Sequence, residues 1–128
     1  MPGALVGTRV VQTSWVVPAR QSGPMTFQLI VLYHQPEDSA AFDAYYESTH
    51  VPLVRQLPGL RRFEVSRPGP GPDGQPAAEY LVAVMQWDDR AAFAASLATS
   101  EGQATTQDLG NVASGGVTLL TGELASYV

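Results

Sequence analysis

His50 is well placed for chemistry near neutral pH, in a sequence that contains two histidines. It lies eight residues after Phe42 and four after Tyr46, so a helix would carry all three side chains on one face. An imidazole directed from that face toward a sheet can act as a general acid or base. The alternative is a structural histidine that binds backbone carbonyls left without donors by Pro52. The sequence supports both interpretations.

Aromatic side chains are the candidates for binding a small molecule beside this histidine. A tyrosine hydroxyl or an indole N–H can donate a hydrogen bond while its ring packs against an aromatic ligand. Tyr33 and Tyr46 are expected to lie nearest to His50, and we take them as candidate catalytic donors. Packing in the core is the alternative for each of these rings. The candidate ligand-binding residues are Leu53, Tyr80 and Trp87.

Three further polar residues are expected to have structural roles. Tyr45 lies one position off the helical stripe, so we expect it to be exposed or at a subunit contact. Asp108 and Asn111 follow the second predicted helix, where they would fix a loop or orient a substrate.

No metal or cofactor site is predicted. His34, Glu37 and Asp38 have ligand-type side chains, but Asp38 is better explained as a helix N-cap and the chain has no cysteine. The glycines of residues 67–76 lack the lysine and the following helix of a phosphate-binding loop.

Composition and charge exclude several classes of protein. The net charge is −5, and the seven basic residues are all arginines, of which only Arg61 and Arg62 are adjacent. Nucleic-acid binding normally needs a clustered positive surface, so it is not expected. Apolar runs such as residues 29–33 are much shorter than the ~20 residues that span a bilayer. Polar residues interrupt any signal peptide in residues 1–24, which we interpret as a weakly ordered extension of a cytoplasmic protein.

Apolar patterning predicts four strands within residues 25–128. They cover residues 27–33, 61–66, 79–87 and a last strand around Gly122, in two parts at 117–120 and 124–128. Asp38 and Asp88 are predicted N-caps of two helices, and Ser100 begins a capping-box pattern for a further short helix. Pro52 should break or kink the first helix near His50, with a second short turn at 52–56.

The resulting order, βαββαβ with an extra helix, is a ferredoxin-like α+β fold with a four-stranded antiparallel sheet. Both faces of the first and third strands are apolar, while the helices cover only one face of the sheet. The uncovered apolar face predicts a homodimer, because soluble monomers rarely expose such a patch. The alternative is that residues 1–24 or the extra helix fold across it.

The helices and their flanking loops resemble the EthD family of the dimeric α+β barrel superfamily. The residues that carry this resemblance are Asp38, Phe42, Tyr46, residues 49–53, residues 57–60, residues 100–104, residues 108–111 and Gly115-Gly116. The resemblance implies a homodimer whose two sheets close a barrel, with a small-molecule cavity between helices and sheet in each subunit.

Two functions from different classes follow from this resemblance. Family members are commonly described as oxidoreductases, yet the superfamily also contains cofactor-free monooxygenases, isomerases and cyclases, so the fold does not choose the reaction. The first hypothesis is an enzyme for a small hydrophobic or aromatic compound, using proton transfer or cofactor-free oxidation. The second is a non-catalytic dimer that binds a small ligand and accompanies an oxidation or degradation pathway.

Overall fold

The computed structural model describes residues 26–128, so the expected extension at residues 1–24 lies outside the described residues. Four antiparallel strands form its sheet in the spatial order β2-β3-β1-β4. The strands are β1 (Phe27–His34), β2 (Arg62–Ser66), β3 (Glu79–Trp87) and β4 (Val117–Glu123). The helices are α1 (Ser39–Tyr45), a π-helical turn (Tyr46–His50), α2 (Val51–Val54), α3 (Arg90–Ala98) and α4 (Ser100–Val112). This arrangement confirms the ferredoxin-like α+β fold.

The core lies between the helices and one face of the sheet. Neighbouring residues of a strand point to opposite faces, and every second residue of the two central strands is directed toward the helices. Val31 pairs with Ala83 and Tyr33 with Leu81, and all four are buried. Trp87 is buried at the other end of β3 and donates its indole N–H to the Pro58 carbonyl at 3.2 Å.

The sequence predicts a break or kink near His50, and the structure has no break there: the helix continues through Pro52, with a π-helical turn at Tyr46–His50. Val51 has helical backbone angles, and its N–H bonds to the Tyr46 carbonyl five residues earlier. A proline lacks the N–H that an α-helix would need at this point, and a widened turn accommodates the missing donor without ending the helix. The π-helical turn therefore replaces the break and ends at His50.

Helix α1 begins as predicted, whereas α3 and α4 begin one residue away from the predicted caps. The Asp38 carboxylate accepts from the Ala41 N–H at 3.0 Å. Asp89, rather than Asp88, caps α3 through the Ala92 N–H. Thr99, rather than Ser100, caps α4, which at 13 residues is not the short helix expected.

Two details of the sheet also differ from the predictions. Strand β4 is one continuous segment that includes Gly122, and residues 124–128 form no strand. The register shifts between Tyr33 and His34, so the regular alternation is lost at this end of β1 and β3. The Tyr80 ring packs edge-on against Phe42 of α1, with the ring centres 5.3 Å apart.

The second face of the sheet carries an apolar strip with no helix against it in residues 26–128. Ile30 of β1 pairs with Val84 of β3 on one side and with Leu120 of β4 on the other. Leu32 and Val82 form the neighbouring pair. These residues are partly exposed, and Leu120 is 49% exposed. No helix of the described residues is long and apolar enough to cross a membrane.

Helix α4 lies very close to the end of α3, and Gly102 makes this approach possible. A Cβ atom at Gly102 would lie 2.5 Å from the Leu97 Cα and would also overlap the Ser96 carbonyl. Since Gly102 is buried, a side chain there could not turn toward solvent.

We expect Gly102→Ala to lower the free energy of unfolding by about 1–3 kcal/mol, because the added carbon forces the two helices apart. Gly110→Ala, in the same helix, is the matched control. No atom lies within 4 Å of a Cβ at Gly110. That control should raise stability by about 0.5–1 kcal/mol, since alanine is the better helix former. Urea unfolding of both variants measures the difference, and equal effects would contradict the packing argument.

Candidate functional site

A cavity of about 170 Å³ lies between the sheet and helices α2, α3 and α4. Its walls are mostly aliphatic and aromatic, with His50 and Tyr33 among the few polar side chains. Leu119 of β4 lines it and is 50% exposed, so the cavity lies close to the surface at this edge of the sheet. The residues that line it are Leu29, Val31, Tyr33, His50, Val54, Leu57, Met85, Phe93, Leu97, Thr105, Thr106, Leu109, Leu119 and Thr121.

His50 contacts the Asp108 carboxylate at the wall of this cavity. The distance from His50 Nδ1 to Asp108 Oδ2 is 2.8 Å, and both side chains are more than nine-tenths buried. A carboxylate can only accept, so Nδ1 carries the hydrogen in this contact and Nε2 is the nitrogen left for a ligand. The π-helical turn positions His50, and α4 positions Asp108.

Two more donors surround the same carboxylate. The Tyr45 hydroxyl donates to Asp108 Oδ1 at 2.5 Å, and the Asn111 amide donates to the same oxygen at 3.2 Å. Burial by itself would raise the pKa of Asp108, but the hydrogen bonds from Tyr45, His50 and Asn111 outweigh it and hold the pKa below its ordinary value. Asp108 is therefore ionised near neutral pH. The Asp108 carboxylate in turn raises the pKa of Tyr45.

Tyr33 lies on the floor of the cavity, on the central strand β1. It is 1% exposed and packs edge-on against Phe42 and Tyr46, with ring centres 5.5 Å apart in each pair. Burial is the main reason that its pKa is raised well above the ordinary value, and Tyr46 and Asp108 add to the effect. The hydroxyl thus stays protonated and remains a hydrogen-bond donor near neutral pH.

The other four predicted site residues are not among those that line the cavity. Tyr46 packs against His50 with ring centres 5.5 Å apart, but it borders a separate groove along β2. The Tyr80 hydroxyl donates to the Asp43 carboxylate at 3.0 Å, and Trp87 is held by Pro58. The Leu53 carbonyl faces α4, where the Thr105 hydroxyl lies 3.4 Å away.

Asp108 and Tyr45 are functional candidates that the sequence reasoning placed elsewhere. Asp108 lies inside α4 and not in a loop, and Tyr45 is partly buried against it. A signal for Asp108 was present: Thr105, Asp108 and Val112 recur at helical spacing, and all three are buried. Within residues 26–128 there is no group of three or more histidine, aspartate or glutamate side chains that could hold a metal ion.

The fold and the cavity between helices and sheet define a ferredoxin-like α+β protein. The EthD domain model matches residues 34–115, more than half of the chain, and the chain therefore belongs to the EthD family. The match includes His50 and Asp108.

Individual relatives agree with this assignment. An uncharacterized 11.0 kDa protein from the thcB-thcC intergenic region of Rhodococcus erythropolis is 39% identical over 94 residues, which cover 73% of this chain and 90% of that protein. The crystal structure of an EthD family protein from Bacillus halodurans superimposes with a TM-score of 0.74 at 40% identity and covers 79% of this chain and 100% of that one. A hydroxynitrile lyase from Passiflora edulis shares the fold, with a TM-score of 0.65 at 10% identity over 82% of this chain and 98% of that one.

We expect Asp108→Asn to lower the free energy of unfolding at pH 7 by roughly 1–3 kcal/mol, because three donors, among them the buried His50 ring, lose a charged acceptor. The native pKa of Asp108 is depressed, so its stabilisation is complete above the ordinary value of 3.8. It is lost as the pH falls through the lower native pKa. The difference between wild type and variant should therefore shrink in acid. Urea unfolding at pH 7 and at pH 3 measures this change.

Asp88→Asn is the matched control for that comparison. Asp88 also binds a partner through two bonds, from Arg61 at 2.9 and 3.0 Å, but this pair is exposed. Exposed pairs contribute little, so this variant should be far closer to wild type at pH 7. Equal losses in the two variants would show that burial of Asp108 is not the decisive factor.

Proposed function

We propose that this EthD-family protein is a small-molecule enzyme in which His50 transfers protons on a small hydrophobic or aromatic substrate. The observation that carries the proposal is the buried hydrogen bond between His50 and Asp108 at the wall of an apolar cavity. A histidine whose inner nitrogen is held by a carboxylate presents its other nitrogen in one orientation and one tautomer. This is the arrangement that a general base needs.

The surroundings of the pair favour proton transfer. Asp108 is ionised and is held in place by Tyr45 and Asn111, so it can stabilise the positive charge that His50 acquires when it accepts a proton. A preorganised charge costs no rearrangement at the moment of reaction. The Tyr33 hydroxyl stays protonated, and we propose that it donates to an oxygen or nitrogen atom of the substrate.

The cavity supports a particular class of substrate. Its walls offer contact to apolar and aromatic surface and contain no arginine or carboxylate side chain, so a small uncharged molecule fits it better than a highly charged one. Removing a proton from an electron-rich aromatic molecule also prepares it for reaction with oxygen, so an oxidoreductase-type activity without a cofactor is compatible with the same residues.

A second candidate is a non-catalytic binder of a small hydrophobic ligand, accessory to an oxidation or degradation pathway. The predominance of aliphatic side chains in the cavity favours it, because binding alone needs no acid or base. The His50 contact favours the enzyme instead, since His50 Nδ1 binds a carboxylate and not a backbone carbonyl.

We also propose that the protein is a homodimer. The apolar strip of Ile30, Leu32, Val82, Val84 and Leu120 on the second face of the sheet supports this proposal, because a second copy would cover it. Cytoplasmic localisation stays a prediction from the sequence.

We expect the wild-type protein to open the ring of 5-nitrobenzisoxazole with saturation kinetics. This small aromatic compound needs only one proton removed from carbon as its N–O bond breaks, and the phenolate product is coloured. His50→Ala should lower the rate by at least about 100-fold, which is typical for loss of a general base. Asp108→Asn should give a smaller loss and a changed pH–rate profile, because it removes the group that orients His50. Absorbance assays measure each rate.

His34→Ala is the matched control, because it removes the second histidine of the chain. His34 is exposed, and its ring bonds to the Thr118 hydroxyl at 3.0 Å, outside the cavity. This variant should retain the wild-type rate. Full activity in His50→Ala, or no turnover by the wild type above the buffer rate, would contradict an accessible base in the cavity. Ligand binding in the cavity without any effect of His50 would favour the second candidate.

We expect Val84→Lys to convert the dimer into a monomer, because it places a charge in the centre of the apolar strip. Val65→Lys is the control, since Val65 is exposed and lies on the helix side of the sheet. Sedimentation velocity over a range of concentrations measures the mass of each. A wild type that is monomeric at every concentration would contradict the dimer.

A further inference from the structure

A second hollow, which we call the β2 groove, lies on the helix side of the sheet. It has a volume of about 510 Å³, larger than the cavity at His50 and within the range of small-molecule sites. Phe63 and Val65 of β2 and Leu81 of β3 supply apolar walls. All three point toward the helices, away from the face proposed for the dimer.

Tyr46 is the unusual residue of this groove. Its side chain is 2% exposed, and its hydroxyl is buried without a hydrogen-bond partner. Buried hydroxyls are normally paired, so an unpaired one costs stability and indicates either strain or a missing ligand. The ring cannot readily turn away, because Phe42 stacks on it and Tyr33 contacts it edge-on.

The Tyr46 hydroxyl can donate a hydrogen bond but has no acceptor among the described residues. Burial raises the pKa of Tyr46, Glu47 raises it further and Arg67 opposes them, and both charged residues line the groove together with Tyr46. Both have long, flexible side chains that an incoming molecule can displace. The Tyr46 hydroxyl therefore stays protonated, and because it is inaccessible to solvent a ligand reaches it only after such a displacement.

The groove carries one negative charge beyond its ion pair, which bears on the kind of ligand. Arg67 binds the Asp43 carboxylate at 3.1 Å and lies over the Tyr80 ring, so its charge is already matched. Glu47 is exposed and adds one negative charge at the groove. A strongly anionic ligand would be repelled by Glu47, and a cation would gain little, because this single carboxylate is exposed to solvent.

We infer that the β2 groove is a second small-molecule site, for a neutral apolar compound with a carbonyl oxygen that accepts a hydrogen bond from Tyr46. The apolar part of the ligand lies against Phe63, Val65 and Leu81, and its oxygen points inward to the buried hydroxyl. The site is separate from the cavity proposed for catalysis and does not depend on the reaction that occurs there. The Tyr46 ring lies between the groove and the cavity, because it lines the groove and also contacts His50.

Titration of the ¹⁵N-labelled full chain with acetophenone tests this site, with ethylbenzene as the matched probe that lacks the oxygen. Acetophenone should shift the backbone amide signals of Phe63, Val65 and Leu81. Tyr46→Phe should weaken acetophenone binding about fivefold, the usual effect of one neutral hydrogen bond, and leave ethylbenzene binding unchanged. Since this variant removes an unpaired hydroxyl, it should melt at or above the wild-type temperature.

Val65→Trp provides a second variant, because an indole at this exposed position fills the groove without entering the core. It should abolish the shifts caused by both probes. The site is overturned if Tyr46→Phe binds acetophenone as wild type does, or if the probes shift only cavity residues such as Leu97 and Leu109. It is also overturned if dilution of the protein alone shifts the groove amides, which would mean that a second copy fills the groove.

Discussion

The buried carboxylate of Asp108 is the constraint on which the arrangement of the helices depends. It accepts from Tyr45 at the end of α1, from His50 at the end of the π-helical turn and from Asn111 on its own helix. A charge withdrawn from water is stable only when its partners are in place, so these bonds fix α4 relative to the first helical segment. The cavity exists because the two segments are held at this distance above the sheet. The same interaction thus holds the helices together and orients the His50 imidazole.

That shared interaction explains why the site combines a polar wall with an otherwise apolar space. The carboxylate satisfies its own hydrogen-bonding needs within the protein and leaves one imidazole nitrogen for a ligand. The hydrophobic side chains around it exclude water, and exclusion of water strengthens the interaction between Asp108 and a protonated His50. In the proposed enzyme such a site would supply acid–base chemistry, and its selectivity for a substrate would come mainly from shape.

The sequence was sufficient for the sheet and insufficient for the polar contacts. Strands β1 and β3 are apolar at nearly every position, and such segments have few alternatives to the centre of a sheet, so their position and the fold class could be predicted. The His50 side chain could be placed on the buried face of a helix from its spacing to Phe42 and Tyr46. Its partner could not, because Asp108 is 58 residues away and the pairing depends on how two helices pack. Tyr45 was predicted to be exposed or at a subunit contact, because only the contact of α1 with the sheet was considered. Helix α4 is a second neighbour of α1, and Tyr45 donates to Asp108 of α4. Tyr80 was predicted as a ligand-binding residue but does not line the cavity, because its ring packs against Phe42 and its hydroxyl donates to Asp43.

The π-helical turn has a consequence for how the chain tolerates changes in length. A wide turn contains one residue more than the α-helical path it replaces, and each residue of an α-helix advances the side-chain direction by about 100°. Deleting one residue between Tyr46 and His50 would restore regular winding and rotate everything on one side of the deletion relative to the other. The His50 imidazole and the Phe42 ring of α1 would then no longer face the sheet together, although composition and hydrophobicity would be almost unchanged. Spacing within this short segment is therefore a stricter requirement than the identity of its exposed residues.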